Sequence, residues 1–236
     1  MRKDWIFLPK RIAIFFHPYY IIRRNLFLAI KEEATDVQGS LLDFGCGQKP
    51  YEKLFPNVTS YIGVDIEVSG HNHQNSNIDV YYDGKKLPFE DNTFDIVLAS
   101  EVLEHVPNII EILSEISRVL KPDGKLIITL PFFWGEHEEP FDFIRFTKFG
   151  ITNSLSRAGF TKIQVARIGR NIESIFQILS AHILELVPKI RIFQLLILPV
   201  IVPLNMLGRL LSKIPINKST IYLNTITVAR NKSQPN

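Results

Sequence analysis

Apolar and polar positions follow two rhythms along this chain, and the switch from one to the other marks out its elements. Short apolar runs of the kind that buried strands show occur at Leu41-Leu42-Phe44, Tyr61-Ile62-Val64, Ile78–Tyr82, Phe94–Ala99 and Lys125–Leu130. Segments with helical spacing stand between or before them. Tyr19, Ile22, Leu26, Ala29 and Ile30 predict a leading helix over about Pro18–Thr35, with Arg23, Arg24 and Lys31 off the stripe. Tyr51–Phe55 predicts a short helix halted by Pro56 and Asn57. Asn108–Leu120 predicts an amphipathic one whose apolar side is Ile109, Ile112, Leu113, Ile116, Val119 and Leu120, turned by Pro122-Asp123-Gly124. A helix then begins at Thr147, carries Phe149, Ile151, Leu155 and Ala158 on one face, and stops at Gly159. Phe160–Ile168 and Thr220–Arg230 read as the last two strands. Strands alternating with helices give an α/β fold with a doubly wound parallel sheet, whose ligands sit beyond the carboxyl ends of the strands. The near-continuous apolar run Lys125–Leu130 is what a strand covered on both faces requires.

Composition narrows the picture only in part. A chain of 236 residues, 46% of them hydrophobic, can bury a full core, and one domain with embellishments is expected. A single cysteine, Cys46, excludes an internal disulfide and fits a reducing compartment. Charge is more informative by its distribution than by its total. Residues 1–31 carry seven Lys/Arg against one acid, residues 32–184 thirteen against twenty-two, and residues 185–236 seven against one. The basic ends are also apolar ends, with Trp5, Ile6, Phe7, Ile14, Phe15, Phe16, Tyr19 and Tyr20 interleaved among the cations. Such a segment suits an anionic lipid surface, or equally a helix packed on the core with its lysines solvated. No nucleic-acid partner is expected, because the arginines are mixed with bulky aliphatics and no zinc, RNP or helix-turn-helix pattern accompanies them. Pro9, Lys10 and Arg11 break the apolar N-terminus, so a cytoplasmic protein is expected.

The candidate chemistry begins at Ser40–Pro50, where the first apolar run ends in Asp43 and two glycines, Gly45 and Gly47, that let a backbone approach a ligand. Eighteen residues past Gly47, Asp65 closes the second run, where a carboxylate suits the hydroxyls of a ribose. Together they predict a nucleotide-type cofactor pocket. Pro50 stands where a dinucleotide fingerprint needs its third glycine, which argues against a nicotinamide-dependent oxidoreductase. The run Asp43-Phe44-Gly45-Cys46-Gly47 resembles the first motif of the class I S-adenosylmethionine-dependent methyltransferases. The series Asp83, Leu87-Pro88-Phe89, Phe94-Asp95-Ile96-Val97, Glu104-His105-Val106, Arg118–Gly124 and Phe160 is similar to the UbiE-like, methyltransferase type 11 branch, over roughly residues 40–168. Asp123 departs from that branch, which often has glycine there, at a turn position that tolerates Asp.

This resemblance implies a Rossmann-like sheet of seven strands, the last antiparallel, with S-adenosylmethionine as cofactor. It implies that Asp43 and the turn Gly45, Cys46 and Gly47 hold the aminoacyl end, Asp65 with Ile66 the ribose, Asp83 and Gly84 the adenine edge, and Ser100 with Glu101 the wall beneath the methionine moiety. Asp83 has a second reading, as a helix cap, and Cys46 that of a small residue packed in a turn. The loop from Pro131 to Thr147, crowded with aromatics and charges, should cover the reacting methyl group and bind substrate through Trp134, Asp142 and Arg145. For a hydroxyl acceptor His137 or His105 is the expected proton remover, with Glu138 orienting the imidazole and Arg145 holding an anionic group. His105 has the alternative of merely closing the cofactor pocket. No metal is expected: His71 and His73 have no third ligand at suitable spacing and read as a solvated loop.

Three regions follow: a basic, apolar helical segment (1–38), a methyltransferase core (39–168 with 220–230), and an apolar helical insert (169–219). In the insert Ile172–Val187 has a helical pattern, and Ile192–Gly208 runs without a charge but is broken by Pro199 and Pro203. A spanning helix needs ~20 apolar residues, so a membrane-surface contact, a lid or a dimer interface is expected instead. Lys189, Arg191, Arg209 and Lys213 flank the stretch as headgroup anchors would. The expected activity is S-adenosylmethionine-dependent O-methylation of an amphiphilic or lipid-linked acceptor, glycan- or isoprenoid-like, by a peripheral protein of the inner membrane face. A membrane-recruited adaptor that binds the cofactor without catalysis is the alternative.

Overall fold

Strand β1 (Gly39–Phe44) withdraws Leu41, Leu42 and Phe44 from solvent on both of its faces, and the sheet grows outward from it. The computed structural model describes residues 7–15, 17–67, 77–170, 172–188, 190–214 and 220–232. Trp5, Ile6, Phe16, His71, His73 and Lys189 lie outside the described residues. On one side of β1 lie β2 (Val58–Ile66) and the short β3 (Val80–Tyr82); on the other lie β4 (Phe94–Ser100) and β5 (Leu120–Pro131), all of them parallel. With β6 (Thr161–Arg170) and β7 (Tyr222–Arg230) the order is β3-β2-β1-β4-β5-β7-β6, a mixed sheet whose last strands are antiparallel. The expected seven-stranded Rossmann-like fold is present.

The chain divides into two compact units, residues 30–166 with 225–236 and residues 1–29 with 167–224. In the first, helix α2 (Ile109–Val119) buries Ile112, Leu113, Ile116 and Val119, which are the stripe its spacing predicted. The expected turn at Pro122-Asp123-Gly124 lies inside β5. There pairing jumps from Phe94↔Leu120 to Ile96↔Lys125, and the surplus residues loop out around Asp123, which takes the left-handed φ of 58°. Helix α3 (Lys148–Arg157) starts under a side-chain cap, the Thr147 hydroxyl accepting from the Gly150 N–H at 3.0 Å. It stops before Gly159, whose φ of +91° only glycine adopts without strain.

The second unit contains the start of α1 (Tyr20–Ala34) together with α4 (Ile172–Glu185), α5 (Arg191–Leu196) and α6 (Leu198–Leu211). Where one apolar stretch was expected, the structure has two helices, because Pro199 fits only the first turn of a helix, where its missing N–H is harmless. Helices α4 and α6 pack closely at Gly208, where a Cβ would come within 2.6 Å of Phe176 Cβ. Their burial is inverted. Ser174, Gln177, Ser180 and Asn205 are completely withdrawn, while Leu179, Leu186, Leu196, Leu207 and Leu210 are exposed. The buried amides are fully used: Gln177 Oε1 accepts from the N–H groups of Ile21 and Ile22, Gln177 Nε2 and Asn205 Nδ2 both donate to Pro18 O at 3.0 Å, and Ser180 donates to Asn205 Oδ1. They satisfy backbone at the start of α1, ahead of its regular ladder. No helix among the described residues is long and apolar enough to cross a membrane.

Candidate functional site

The parallel register sets the acids of the first unit at strand tips. Asp43 pairs with Gly63, and Asp65 with Tyr81, so Asp43 and Asp65 stand near the carboxyl ends of adjacent strands. The chain leaves β1 through Gly45 (φ 69°) and Gly47 (φ 48°), both left-handed. At Gly45 a Cβ would strike Val102 Cγ2 at 2.2 Å, whereas at Gly47 it would meet nothing within 4 Å. Packing therefore demands the first glycine, and the second opens onto a cradle that a bound group can enter. Asp65 organises that cradle, accepting from Gly47 N–H and Ile66 N–H at 2.9 Å each and keeping lone pairs of both oxygens for a diol.

Asp43 is buried and accepts from the Tyr61 hydroxyl at 2.7 Å. Burial pushes its carboxyl up to about 7, against the opposing pulls of Tyr61 and Lys49. The Cys46 thiol is also buried and pushed up by desolvation; it packs in the turn, against Gly63, as a small residue. Asp83 is exposed and accepts from the N–H groups of Lys85 and Lys86 at 2.9 and 3.1 Å, capping the turn that carries Gly84. Sequence reasoning missed Asp79, which accepts from Gly63 N–H at 2.6 Å and pairs with Lys49, tying the glycine turn to the strand beside it. Nothing in its local pattern distinguishes Asp79 from a loop acid.

Ser100, at the tip of β4, shares a hydrogen bond with Thr129 Oγ1 at 2.9 Å, and Glu101 N–H donates to Thr129 O. Glu101 has the left-handed φ of 52° and leads into a short turn, Leu103–His105, that presents Glu104 and His105. The Pro131–Thr147 loop is tied to that turn: Phe143 N–H donates to Glu104 O, and His105 Nδ1 lies 2.9 Å from Phe141 O. His137 thereby comes edge-on to His105, with ring centroids 4.8 Å apart. Glu138 lies 3.5 Å from His105 Nε2 and Glu104 within 3.9 Å of both imidazoles. Burial holds the His137 imidazole below its usual range. Burial, reinforced by Glu101, raises the Glu104 carboxyl well above the usual carboxylate range.

Arg145, expected to grip an anionic substrate, turns its fork onto Asp142 in a bidentate pair. Asp142 also accepts from His137 N–H at 3.0 Å. Burial would raise the Asp142 carboxyl, but Arg145 and His137 hold it down at about 2. The two residues thus clamp the His137 segment. Trp134 is half-buried on the same loop. Glu104, fully buried, was visible in the sequence only as part of a family motif, because a lone acid before a histidine carries no periodic signal.

A seven-stranded sheet in this order, with a glycine turn after its central strand and acids at adjacent strand tips, is the Rossmann-like architecture of a nucleotide-cofactor domain. Comparison with known proteins narrows this: residues 42–128 match the family model described as a methyltransferase domain. Over that stretch the chain is similar to the class I S-adenosylmethionine-dependent methyltransferases of the UbiE-like, methyltransferase type 11 branch, a family whose cofactor is S-adenosylmethionine. The sterol 4-C-methyltransferase strm-1 of Caenorhabditis elegans is 50% identical over 46 residues, 20% of this chain and 14% of that protein. The phthiotriol/phenolphthiotriol dimycocerosates methyltransferase 1 of Mycobacterium ulcerans is 38% identical over 108 residues, 41% of this chain and 40% of that one. The chain thus spans less than half the length of these curated relatives. Among solved structures, phosphoethanolamine N-methyltransferase 2 of Haemonchus contortus in complex with S-adenosyl-L-methionine superposes with a TM-score of 0.56 at 18% identity, over 98% of this chain and 60% of that one, a likeness of fold.

Proposed function

We propose that this protein transfers a methyl group from S-adenosylmethionine to an oxygen of an amphiphilic or lipid-linked acceptor, glycan- or isoprenoid-like, at the cytoplasmic face of a membrane. The observation that carries the acceptor class is the inverted burial of the helical unit. A water-facing surface does not gather Ile175, Leu179, Leu186, Leu196, Met206 and Leu210 unless something apolar covers them. Exposed Lys10, Arg11 and Lys213 in the same unit supply charge suited to anionic headgroups. The sterol and dimycocerosate named in the two relatives support the same class of acceptor.

When bound, S-adenosylmethionine supplies a methyl group on a positively charged sulfur that is already a good leaving group. The protein's work is then chiefly positioning, for which effective concentrations of ~10⁵ M or more are attainable. Asp65 would take the ribose hydroxyls and the Gly45–Gly47 turn with Asp43 the aminoacyl end. Ser100 and Glu101 would wall the methionine moiety, and Asp83 with Gly84 would meet the adenine edge. His105 and His137 present ring nitrogens where the loop meets the turn after β4, and they serve the removal of the acceptor's proton, with Glu138 beside them.

Incubating the protein with methyl-labelled S-adenosylmethionine and a polar lipid and glycolipid extract tests this. One amphiphilic species should become labelled. Cofactor binding by calorimetry without any transfer would overturn the enzymatic reading and leave a cofactor-binding adaptor.

A further inference from the structure

The side chain of Glu104 is completely excluded from solvent, and neither of its oxygens has a hydrogen-bond partner. A buried carboxylate left in that state is strongly disfavoured, so its neighbours decide what satisfies it. Its Oε1 lies 3.7 Å from His105 Nε2 and 3.9 Å from His137 Nε2. His105 Nδ1 faces a carbonyl, Phe141 O, which can only accept; the proton is therefore on Nδ1 and Nε2 carries a lone pair, itself without a partner. His137 Nδ1 faces two acceptors, Gly135 O and Asp142 Oδ2, each at 3.3 Å, against one donor, the Arg145 guanidinium at 3.4 Å that is already bonded to Asp142. Its Nε2 lone pair likewise points to the Glu104 side. Three lone-pair donors thus converge with their ligand atoms within 4.8 Å of one another.

We infer that Glu104, His105 and His137 form a binding site for a divalent first-row transition metal of the zinc or iron(II) type. Bonds of ~2.1 Å in a tetrahedral site set ligand atoms about 3.4 Å apart, so the two Glu104 distances, 3.7 and 3.9 Å, need close by only a few tenths of an ångström, and the widest spacing, within 4.8 Å, by a side-chain adjustment of at most about 1.4 Å. Two imidazoles and one carboxylate select these metals over calcium or magnesium, which favour all-oxygen sites. The supports behind the ligands are those of a metal centre: a backbone carbonyl fixes one imidazole, and a carboxylate held by Arg145 faces the other. Glu138 Oε1, 3.5 Å from His105 Nε2, is placed to complete the set or to face an incoming ligand. The inference rests on, and deepens, the O-methylation reading. A metal here would bind the acceptor's hydroxyl and lower its pKa so that its proton passes to the Glu138 carboxylate or to solvent, and the imidazoles would serve proton removal as ligands of the cation.

The test uses the full chain, stripped with EDTA and dialysed, then titrated with cobalt(II) alone while its visible absorption and heat are recorded. One cobalt(II) per chain should bind, be displaced by zinc(II) and ignore a large excess of magnesium. Glu104→Gln and His137→Ala should each weaken it by on the order of 100-fold, and Asp142→Asn by roughly 10-fold. His137 sits on the loop, so its variant carries the test should Glu104→Gln fail to fold. S-Adenosylmethionine binding, measured on the same samples, should stay unchanged in all three variants. A stripped protein that takes up no cobalt(II), or equal binding by His137→Ala and the parent, overturns the metal site and shows that a proton satisfies the cluster. Intact cobalt(II) binding with no affinity for S-adenosylmethionine would instead remove the methyltransferase reading and leave the metal site standing.

Discussion

In the sheet unit the residues wholly withdrawn from solvent include Leu98, Leu113, Ile116 and Ile127; in the helical unit they include Ser174, Gln177, Ser180 and Asn205. The outside is reversed as well, since α4 to α6 expose one large aliphatic after another. The sheet unit follows the hydrophobic effect in water, where each fully buried aliphatic contributes roughly 1.5–3 kcal/mol. The helical unit also buries apolar side chains, Ile21, Leu26, Ile201 and Leu223 among them, but α4 and α6 bond their buried polar groups internally and leave Leu179, Leu207 and Leu210 exposed. Buried acids differ in the same way. Glu173 in the helical unit is held by Arg209 and Asn25 at 2.8 and 3.1 Å, whereas Asp43 in the sheet unit accepts a hydrogen bond from the Tyr61 hydroxyl and feels Lys49 without an ion pair among the described residues. A buried charge with two partners is satisfied within the fold, whereas a buried carboxyl held by one hydroxyl is pushed toward its protonated form.

The largest effect that sharpens this contrast concerns Asp43. Its native pKa, about 7, lies above the ordinary value of 3.8, so the native state holds a proton that the unfolded chain has lost. Stability of the cofactor-free protein should therefore be fully present below about pH 4 and fall as pH rises toward 7, by on the order of 4 kcal/mol over the window. Asp43→Asn should flatten that slope in urea unfolding; an unchanged slope would assign it elsewhere. Next comes the core itself. Leu98→Ala should cost about 3 kcal/mol, whereas Leu196→Ala, on a residue that is 66% exposed, should stay within about 0.5 kcal/mol. Equal costs would break the contrast. Asn205→Leu should cost roughly 1–3 kcal/mol, because the buried Ser180 hydroxyl loses its acceptor and Pro18 O keeps only the Gln177 donor, although the new side chain is apolar. Asp65→Ala should weaken S-adenosylmethionine binding by about 1.5–3 kcal/mol in calorimetry and leave vesicle binding untouched. The smallest stability change, within ~0.5 kcal/mol, is expected for Leu196→Asp with Leu210→Asp. That pair should nonetheless abolish flotation with phosphatidylglycerol-containing vesicles, and a parent protein that fails to float would sink the lipid reading.

The sheet unit was legible because each of its signals is local. The run Leu41-Leu42-Asp43-Phe44 is strand-like by itself, the α2 stripe repeats every three to four residues, and Thr147 caps the helix it precedes. Asp65 followed from its spacing after the glycines. The helical unit was legible only as an apolar stretch, since the period shows that one face differs from the other and not which one is turned inward. Gln177 and Asn205 look like surface residues until the chain carries them to Pro18, 159 and 187 positions away. Arg145 shows the same limit, because an arginine in a charged loop can equally face a ligand or an acid three residues before it, and the fold brings it to Asp142.

By itself, then, the sequence determined the strands, the glycine turn, the acid at the tip of the second strand and the resemblance to a methyltransferase domain, because periodicity, left-handed turns and motif spacing are written in neighbouring residues. Tertiary structure alone decided that Glu104, His105 and His137 meet, and that the helices bury amides and expose leucines. Those outcomes depend on side chains distant in the chain sharing one small volume, where desolvation makes an unpaired lone pair costly and so gives each group's neighbours their meaning.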